Sequence, residues 1–168
     1  DFSRRITFAL LQQVLESLEY LVHDTKVWTE VTTLLIPGHN DSEAEVAKLS
    51  EWVVEKLGPH VPLHFSGFHP DFKMRDVPAT PRETLQRARR QAMQAGLQYV
   101  YTGNTHDPEG DTTFCAGCGT ALIERDWYEL RAYRVSSDGR CLKCAQKVAG
   151  EFDVAPGEWG RRRLPVAL

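Results

Sequence analysis

The amino-acid sequence predicts an α/β fold, three helix–strand steps that build a parallel sheet, followed by a small metal-stapled β ribbon. Over residues 11–101, apolar residues at helical spacing alternate with short, near-continuous apolar runs, the pattern of strands joined by crossover helices. All four cysteines fall later, in two Cys-x-x-Cys pairs. Polar residues gather directly after each apolar run, where the carboxyl ends of parallel strands hold ligands. Three such βα steps amount to half a barrel.

Each element has a local cause. Leu11, Val14, Leu15, Leu18, Leu21 and Val22 recur at helical spacing, and Lys26 to Ile36 then reads as a strand ending at Pro37-Gly38. Ser42-Glu43-Ala44-Glu45 is a capping box. The stripe Val46, Leu49, Val53, Leu57 continues that helix until Gly58-Pro59 stops it. Pro62 to Phe68 is the second strand. Thr80-Pro81-Arg82-Glu83 sets an N-cap, a proline at N1 and a Glu at N3 ahead of Leu85, Ala88, Ala92 and Ala95, and Gly96 closes the helix. Gln98 to Tyr101 is the third strand. The loops that follow the strands carry His39, Asn40, Asp41, His69, Asp71, Lys73, Arg75, Asp76, Asn104, His106, Asp107, Glu109 and Asp111.

Cys115-Ala116-Gly117-Cys118 and Cys141-Leu142-Lys143-Cys144 account for every thiol in the chain. A two-residue gap lets both sulfurs of a knuckle reach one ion at roughly 2.3 Å, and two knuckles complete a tetrahedral all-sulfur shell suited to structural zinc. A mononuclear iron site of the same geometry and a pair of disulfides are the alternatives. Disulfides call for an oxidising compartment, and no secretory segment is expected ahead of them. Between the knuckles, Ala121 to Arg125 and Tyr128 to Val135 read as strands and Ser136-Ser137-Asp138-Gly139 as a turn. This is the layout of a zinc ribbon. Gly119 supplies a positive φ after the first knuckle, and the second has Ala145 in its place. Four cysteines around one ion leave no open position for water, which argues against a zinc hydrolase.

Composition bounds the rest. The chain has 168 residues, 42% hydrophobic and 10% aromatic, enough for a core plus an appendage. Residues 1–110 are expected to form the half-barrel region, 111–150 the ribbon and 151–168 an irregular tail. Formal net charge is −3, which gives no global electrostatic case for nucleic acid, and Arg161-Arg162-Arg163 reads as a solvated tail. No run approaches the ~20 apolar residues of a membrane span, so a cytoplasmic, reducing setting is expected.

Three separated motifs carry a resemblance: Thr32-Thr33-Leu34-Leu35-Ile36-Pro37-Gly38-His39-Asn40-Asp41, Phe65-Ser66-Gly67-Phe68-His69-Pro70 and Tyr99-Val100-Tyr101-Thr102-Gly103-Asn104. With the ribbon and the tail from Gly157 to Val166, the sequence resembles the C-terminal half of radical S-adenosylmethionine enzymes of the pyruvate formate-lyase activating type. It is most similar to the AmmeMemoRadiSam system radical SAM enzymes. The resemblance implies three βα units of a radical SAM-type TIM barrel and a C-terminal zinc ribbon. It places His69 beside the adenosyl part of S-adenosylmethionine, and Thr32 on the same cofactor side, where the activating enzymes carry an arginine. Asp71, Asn104 and His106 become candidates for substrate contact, the substrate being unknown and a protein among the possibilities. His69 can equally be a strand-end histidine bonded to loop backbone, and His106 with Asp107 a turn leading into the first knuckle.

The departure from the family is an absence. Its Cys-x-x-x-Cys-x-x-Cys loop, which holds a [4Fe-4S] cluster, has no counterpart in this sequence, and thiolates closed around one ion cannot replace it. S-adenosylmethionine and the cluster are therefore implied for the complete enzyme only. The first strand, with Trp28, Val31, Leu34 and Ile36, would stand as an open barrel edge. That edge predicts pairing with a missing N-terminal half, or self-association. The alternative function is a zinc-ribbon module without catalytic activity that binds protein or nucleic acid through Arg125, Trp127, Tyr128, Arg131, Tyr133 and Arg134.

Overall fold

The three apolar runs pair as parallel strands, β1 (Val31–Leu35), β2 (Leu63–Gly67) and β3 (Val100–Gly103), in the order β1-β2-β3, with Val31 opposite Leu63 and Leu63 opposite Val100. This computed structural model describes residues 10–157. The tail motif beyond Gly157, including Arg161 to Arg163, lies outside the described residues. The chain divides into two units, at residues 1–105 and 106–168.

In the first unit the strands are shorter than their apolar runs because a ladder needs two partners. The Val31 N–H donates to the Pro62 carbonyl at 2.9 Å, and Pro62 has no N–H to extend the pairing back toward Lys26. One face of the sheet is apolar. Leu35, Leu63, Phe65 and Val100 pack there against Val46, Val53, Leu57, Leu85, Ala88 and Ala92, which come from α2 (Glu43–Trp52), the turn after it and α3 (Arg82–Gln94). The capping box forms as the sequence predicts. The Ser42 hydroxyl accepts the Glu45 N–H at 3.3 Å and lies 3.1 Å from the Glu45 carboxylate. Residues Val53–Leu57 widen into a π turn that ends with the Gly58 N–H on the Val53 carbonyl, Gly58 taking φ 106°. α1 (Leu11–Asp24) packs against that turn.

The start of α3 differs from the expected cap. Pro81 is the N-cap residue and makes no side-chain cap bond. Thr80 is engaged elsewhere. Its hydroxyl donates to the Leu35 carbonyl at 2.6 Å and accepts the Phe68 N–H at 2.8 Å, standing between β1 and the segment after β2 where a direct ladder bond would fall.

The second face of the sheet carries Thr32 and Leu34 from β1, His64 and Ser66 from β2, and Tyr101 and Gly103 from β3. Thr32 and Leu34 are exposed. Glu30 takes the Trp28 indole N–H at 2.9 Å and meets the His64 ring nitrogen at 2.7 Å, and His64 stacks on Tyr101 with centroids 4.9 Å apart. The expected apolar edge is corrected by burial. Val31 packs on the core, Ile36 is buried and Trp28 half-buried, so of the four only Leu34 faces solvent, at 42%.

The second unit holds an antiparallel sheet in the order β4 (Thr113–Phe114), β5 (Ala121–Asp126), β6 (Glu129–Tyr133). The sequence anticipates the β5–β6 hairpin, whereas β4 is too short to show a period. Leu122, Ile123, Val135 and Val148 form its apolar interior with Cys115 and Cys141. The expected turn closes as Gly139, at φ 74°, donates to the Ser136 carbonyl. Among the described residues no helix is long and apolar enough to cross a membrane.

Thr80→Ala is expected to lower the stability of the first unit by about 1–3 kcal/mol in urea unfolding, because it strands a part-buried carbonyl and amide together. Thr80→Ser, which keeps the hydroxyl, should recover most of that loss.

Candidate metal centre

Two knuckles converge by a repeated backbone pattern. The Cys115 N–H donates to the Thr120 carbonyl, and the Gly119 N–H to the Cys115 carbonyl. The Cys141 N–H donates to the Gln146 carbonyl, and the Ala145 N–H to the Cys141 carbonyl. Each knuckle thus folds on bonds at the same offsets from its first cysteine. Each ends on a left-handed residue, Gly119 at φ 69° and Ala145 at φ 59°. Ala145 therefore adopts the glycine conformation at a cost in backbone strain.

The sulfurs of Cys115, Cys118, Cys141 and Cys144 all lie within 4.8 Å of one another. Cys115 and Cys144 are 3.6 Å apart, Cys118 and Cys141 3.8 Å. A tetrahedron with ~2.3 Å metal–sulfur bonds has edges of about 3.8 Å, so the four thiols could hold one metal ion such as zinc. Cys115 and Cys141 are buried, Cys118 half-buried and Cys144 exposed.

The surroundings divide the thiols. Thr120, through its hydroxyl 3.2 Å from Cys118 Sγ and its backbone, brings the Cys118 thiol down to about 6. At Cys141, burial opposes the thiolate, but the backbone N–H groups of Cys144 and Lys143 prevail and the value is lowered. At Cys144 the Gln146 backbone favours the thiolate, yet the neighbouring Cys118 thiol, burial and the other two thiols push it up to about 12. A cation bound there would supply the positive charge that lets the clustered thiolates coexist.

The other candidate residues do not converge in this way. Thr32 lies in the row Thr32–His64–Tyr101 within the sheet, whereas His69 is exposed in the loop beyond the carboxyl end of β2. Asp71 is exposed, and its carboxylate accepts the Phe72 N–H at 2.7 Å, beside Phe72 at φ 45°. Asn104, at φ 57°, donates its side-chain amide to the Gly67 carbonyl at 3.1 Å. His106 belongs to the ribbon unit, with its ring 3.7 Å from Asp126. Burial first, and then Asp107, holds the nearby Asp111 carboxyl above the ordinary range.

The arginines of the ribbon are engaged within it. Arg125 donates to the Asp111 carbonyl and the Thr113 hydroxyl, both at 3.1 Å. Arg131 pairs with Asp126, and Arg134 with Glu124 and the Ala121 carbonyl. Of the residues expected to form a binding surface, Arg125 and Tyr133 are half-buried, while Trp127 and Tyr128 stand out at the hairpin tip. Sequence reasoning missed Thr80 and Thr120. For Thr120 its position two residues after Cys118 was a readable signal.

No protein-family model matches the sequence. An uncharacterized protein of Methanocaldococcus jannaschii, MJ0808, is 41% identical over 149 residues, covering 88% of this chain. The chain spans 44% of that protein's length.

Ala145→Gly is expected to stabilise the metal-loaded ribbon by roughly 1 kcal/mol by relieving the left-handed strain. Gly119→Ala should cost a similar amount, since nothing lies within 4 Å of an added Cβ and only φ resists it; thermal unfolding of the two variants checks both signs. Zinc binding at pH 7 should release protons, because the Cys144 thiol, at about 12, is still protonated there. Affinity should fall further as pH drops through about 6, where Cys118 takes up its proton. Calorimetry in buffers of different ionisation enthalpy counts those protons.

Proposed function

We propose that this chain is the C-terminal portion of a radical S-adenosylmethionine enzyme similar to the pyruvate formate-lyase activating enzymes. In this reading it contributes part of the cofactor and substrate cavity and a structural zinc ribbon. The observation that carries it is the one-sided packing of the parallel sheet. Doubly wound sheets bury both faces under helices, whereas a barrel wall packs helices outside and turns its other face to the interior. Here α2 and α3 line one face, and Thr32, Leu34, His64, Ser66, Tyr101 and Gly103 line the other. The order of the three loop motifs and the ribbon gives further support.

A [4Fe-4S] cluster does not fit on this chain. The four thiols, all within 4.8 Å of one another, suit one ion rather than a cluster, so on this reading the thiolates of a cluster come from another part of the protein. On this reading His69 and Thr32 lie on the S-adenosylmethionine side, Asp71, Asn104 and His106 toward the substrate, and the protein works in the reducing cytoplasm. The direct test uses the full-length Methanocaldococcus jannaschii relative, reconstituted anaerobically with iron and sulfide and supplied with a reductant. It should cleave S-adenosylmethionine to 5′-deoxyadenosine, and alanine at the histidine matching His69 should weaken cofactor binding. A relative that holds no cluster and leaves S-adenosylmethionine intact would sink the reading.

A second reading, a ribbon that binds another protein without catalysis, is favoured by Trp127 and Tyr128, 51% and 74% exposed at the hairpin tip. Trp127 is held at φ 55°, where a bulky residue is strained. Nucleic acid is the weaker partner for that tip, since the nearby guanidinium groups are already paired.

A further inference from the structure

The four sulfurs that could share one ion are also placed to bond to one another, and they are not equally reachable. Cys115 and Cys141 are 3% and 2% exposed, and Cys118 is half-buried with its sulfur 3.2 Å from the Thr120 hydroxyl. Cys144 is exposed, in the run 142–147 where every residue is exposed. The residue after it, Ala145, holds a left-handed φ of 59°, so the accessible sulfur sits on the strained knuckle. With an ion bound all four sulfurs are thiolates, and access rather than acidity then decides which one meets an oxidant first.

The partner of Cys144 lies across the site. Its sulfur is 3.6 Å from that of Cys115, and the sulfurs of Cys118 and Cys141 meet at 3.8 Å. Both contacts join one knuckle to the other, and together they use every thiol once. The knuckles also press together beside them, since a Cβ on Gly117 would stand 3.2 Å from Cγ of Gln146. A disulfide is about 2.05 Å long, so each pair closes by a shift of less than about 2 Å. The two bridges would be nested, Cys118–Cys141 inside Cys115–Cys144, and both would span the β5–β6 hairpin as the metal does.

We propose that these thiols are a peroxide-sensitive modification site, in which Cys144 reacts first, Cys115 resolves it, and nested disulfides take the place of the metal staple. This rests on the proposed zinc ribbon and not on S-adenosylmethionine chemistry. The Cys144 thiolate attacks one oxygen of hydrogen peroxide, the O–O bond breaks, Cys144 becomes a sulfenic acid and hydroxide leaves. The Cys115 thiolate then attacks the Cys144 sulfur, the S–S bond forms, the S–O bond breaks and a second hydroxide leaves. Two thiolates have given up two electrons and one peroxide has taken them. Two remaining thiolates no longer close a shell around the ion, which is released. A second peroxide joins Cys118 to Cys141 by the same steps. Small thiols reverse both bridges by exchange, as suits the transient, sensing disulfides of a reducing compartment.

Titration of the zinc-loaded chain with hydrogen peroxide tests this, a chromogenic chelator counting released zinc and mass spectrometry of tryptic peptides mapping the bridges. Trypsin cuts after Lys143, between Cys141 and Cys144, and leaves Cys115 and Cys118 on one peptide whose fragmentation tells them apart. About one equivalent of peroxide per chain should free the zinc and give the Cys115–Cys144 bridge, and about one more should give Cys118–Cys141. Dithiothreitol with added zinc should restore the loaded form. The bridged, zinc-free protein should unfold at higher urea than the reduced, zinc-free protein. A first bridge within one knuckle, first oxidation at Cys118, sulfinic acid without a bridge, or zinc retained in about tenfold excess peroxide would each overturn the proposal. A chain that takes up no zinc would sink the ribbon and this proposal with it, whereas zinc bound and unmoved by peroxide sinks the proposal alone.

Discussion

Backbone groups at the carboxyl ends of a short parallel sheet are the constraint from which the sheet unit follows. Three strands leave two outer edges and three frayed ends, and every unpaired carbonyl or amide buried there costs free energy of the order of a lost hydrogen bond. Side chains from the following loops meet that cost. Thr80 bridges Leu35 and Phe68, Asn40 bridges Leu34 and Ile36, and Asn104 reaches Gly67. Each of these residues fixes its own loop as it completes a strand, so the ends of the sheet and the loops form as one structure. That coupling explains why polar residues cluster there whatever the ligand.

The ribbon solves a different problem. A second unit with so few buried apolar residues has little hydrophobic stabilisation of its own, and a metal held by the two knuckles would supply what packing does not. The matched bonds at Cys115–Thr120 and Cys141–Gln146 pre-shape both halves of the site, while Thr120 and the knuckle amides prepare two of the thiols for ionisation. Arginine–carboxylate pairs tie β5 to β6 and neutralise the hairpin up to its aromatic tip.

The sequence made most of this framework legible. Period and capping gave the α/β order, the capping box at Ser42 and the strand positions, because short-range chemistry decides them. Cys-x-x-Cys spacing pointed to the convergence of the four thiols for the same reason. What it could not give depends on distant partners. Thr80 looks like an N-cap until Leu35, far away in sequence, claims its hydroxyl, and the limits of β1 follow from proline at position 62. Burial of Ile36 and engagement of Arg125 are likewise set by tertiary neighbours. Ala145 departs from the glycine rule, yet the second knuckle takes the glycine conformation anyway, since bonding around the site outweighs the local preference.

The claim that this chain pairs a metal staple with a sheet that has no redox centre of its own is tested most directly by counting zinc, iron and acid-labile sulfide in the protein purified without oxygen. The account predicts about one zinc per chain and neither iron nor sulfide, as a closed four-thiolate site requires. Iron and sulfide in cluster proportion would mean that the ribbon cysteines hold a cluster, and the division of labour drawn between the two units would be wrong.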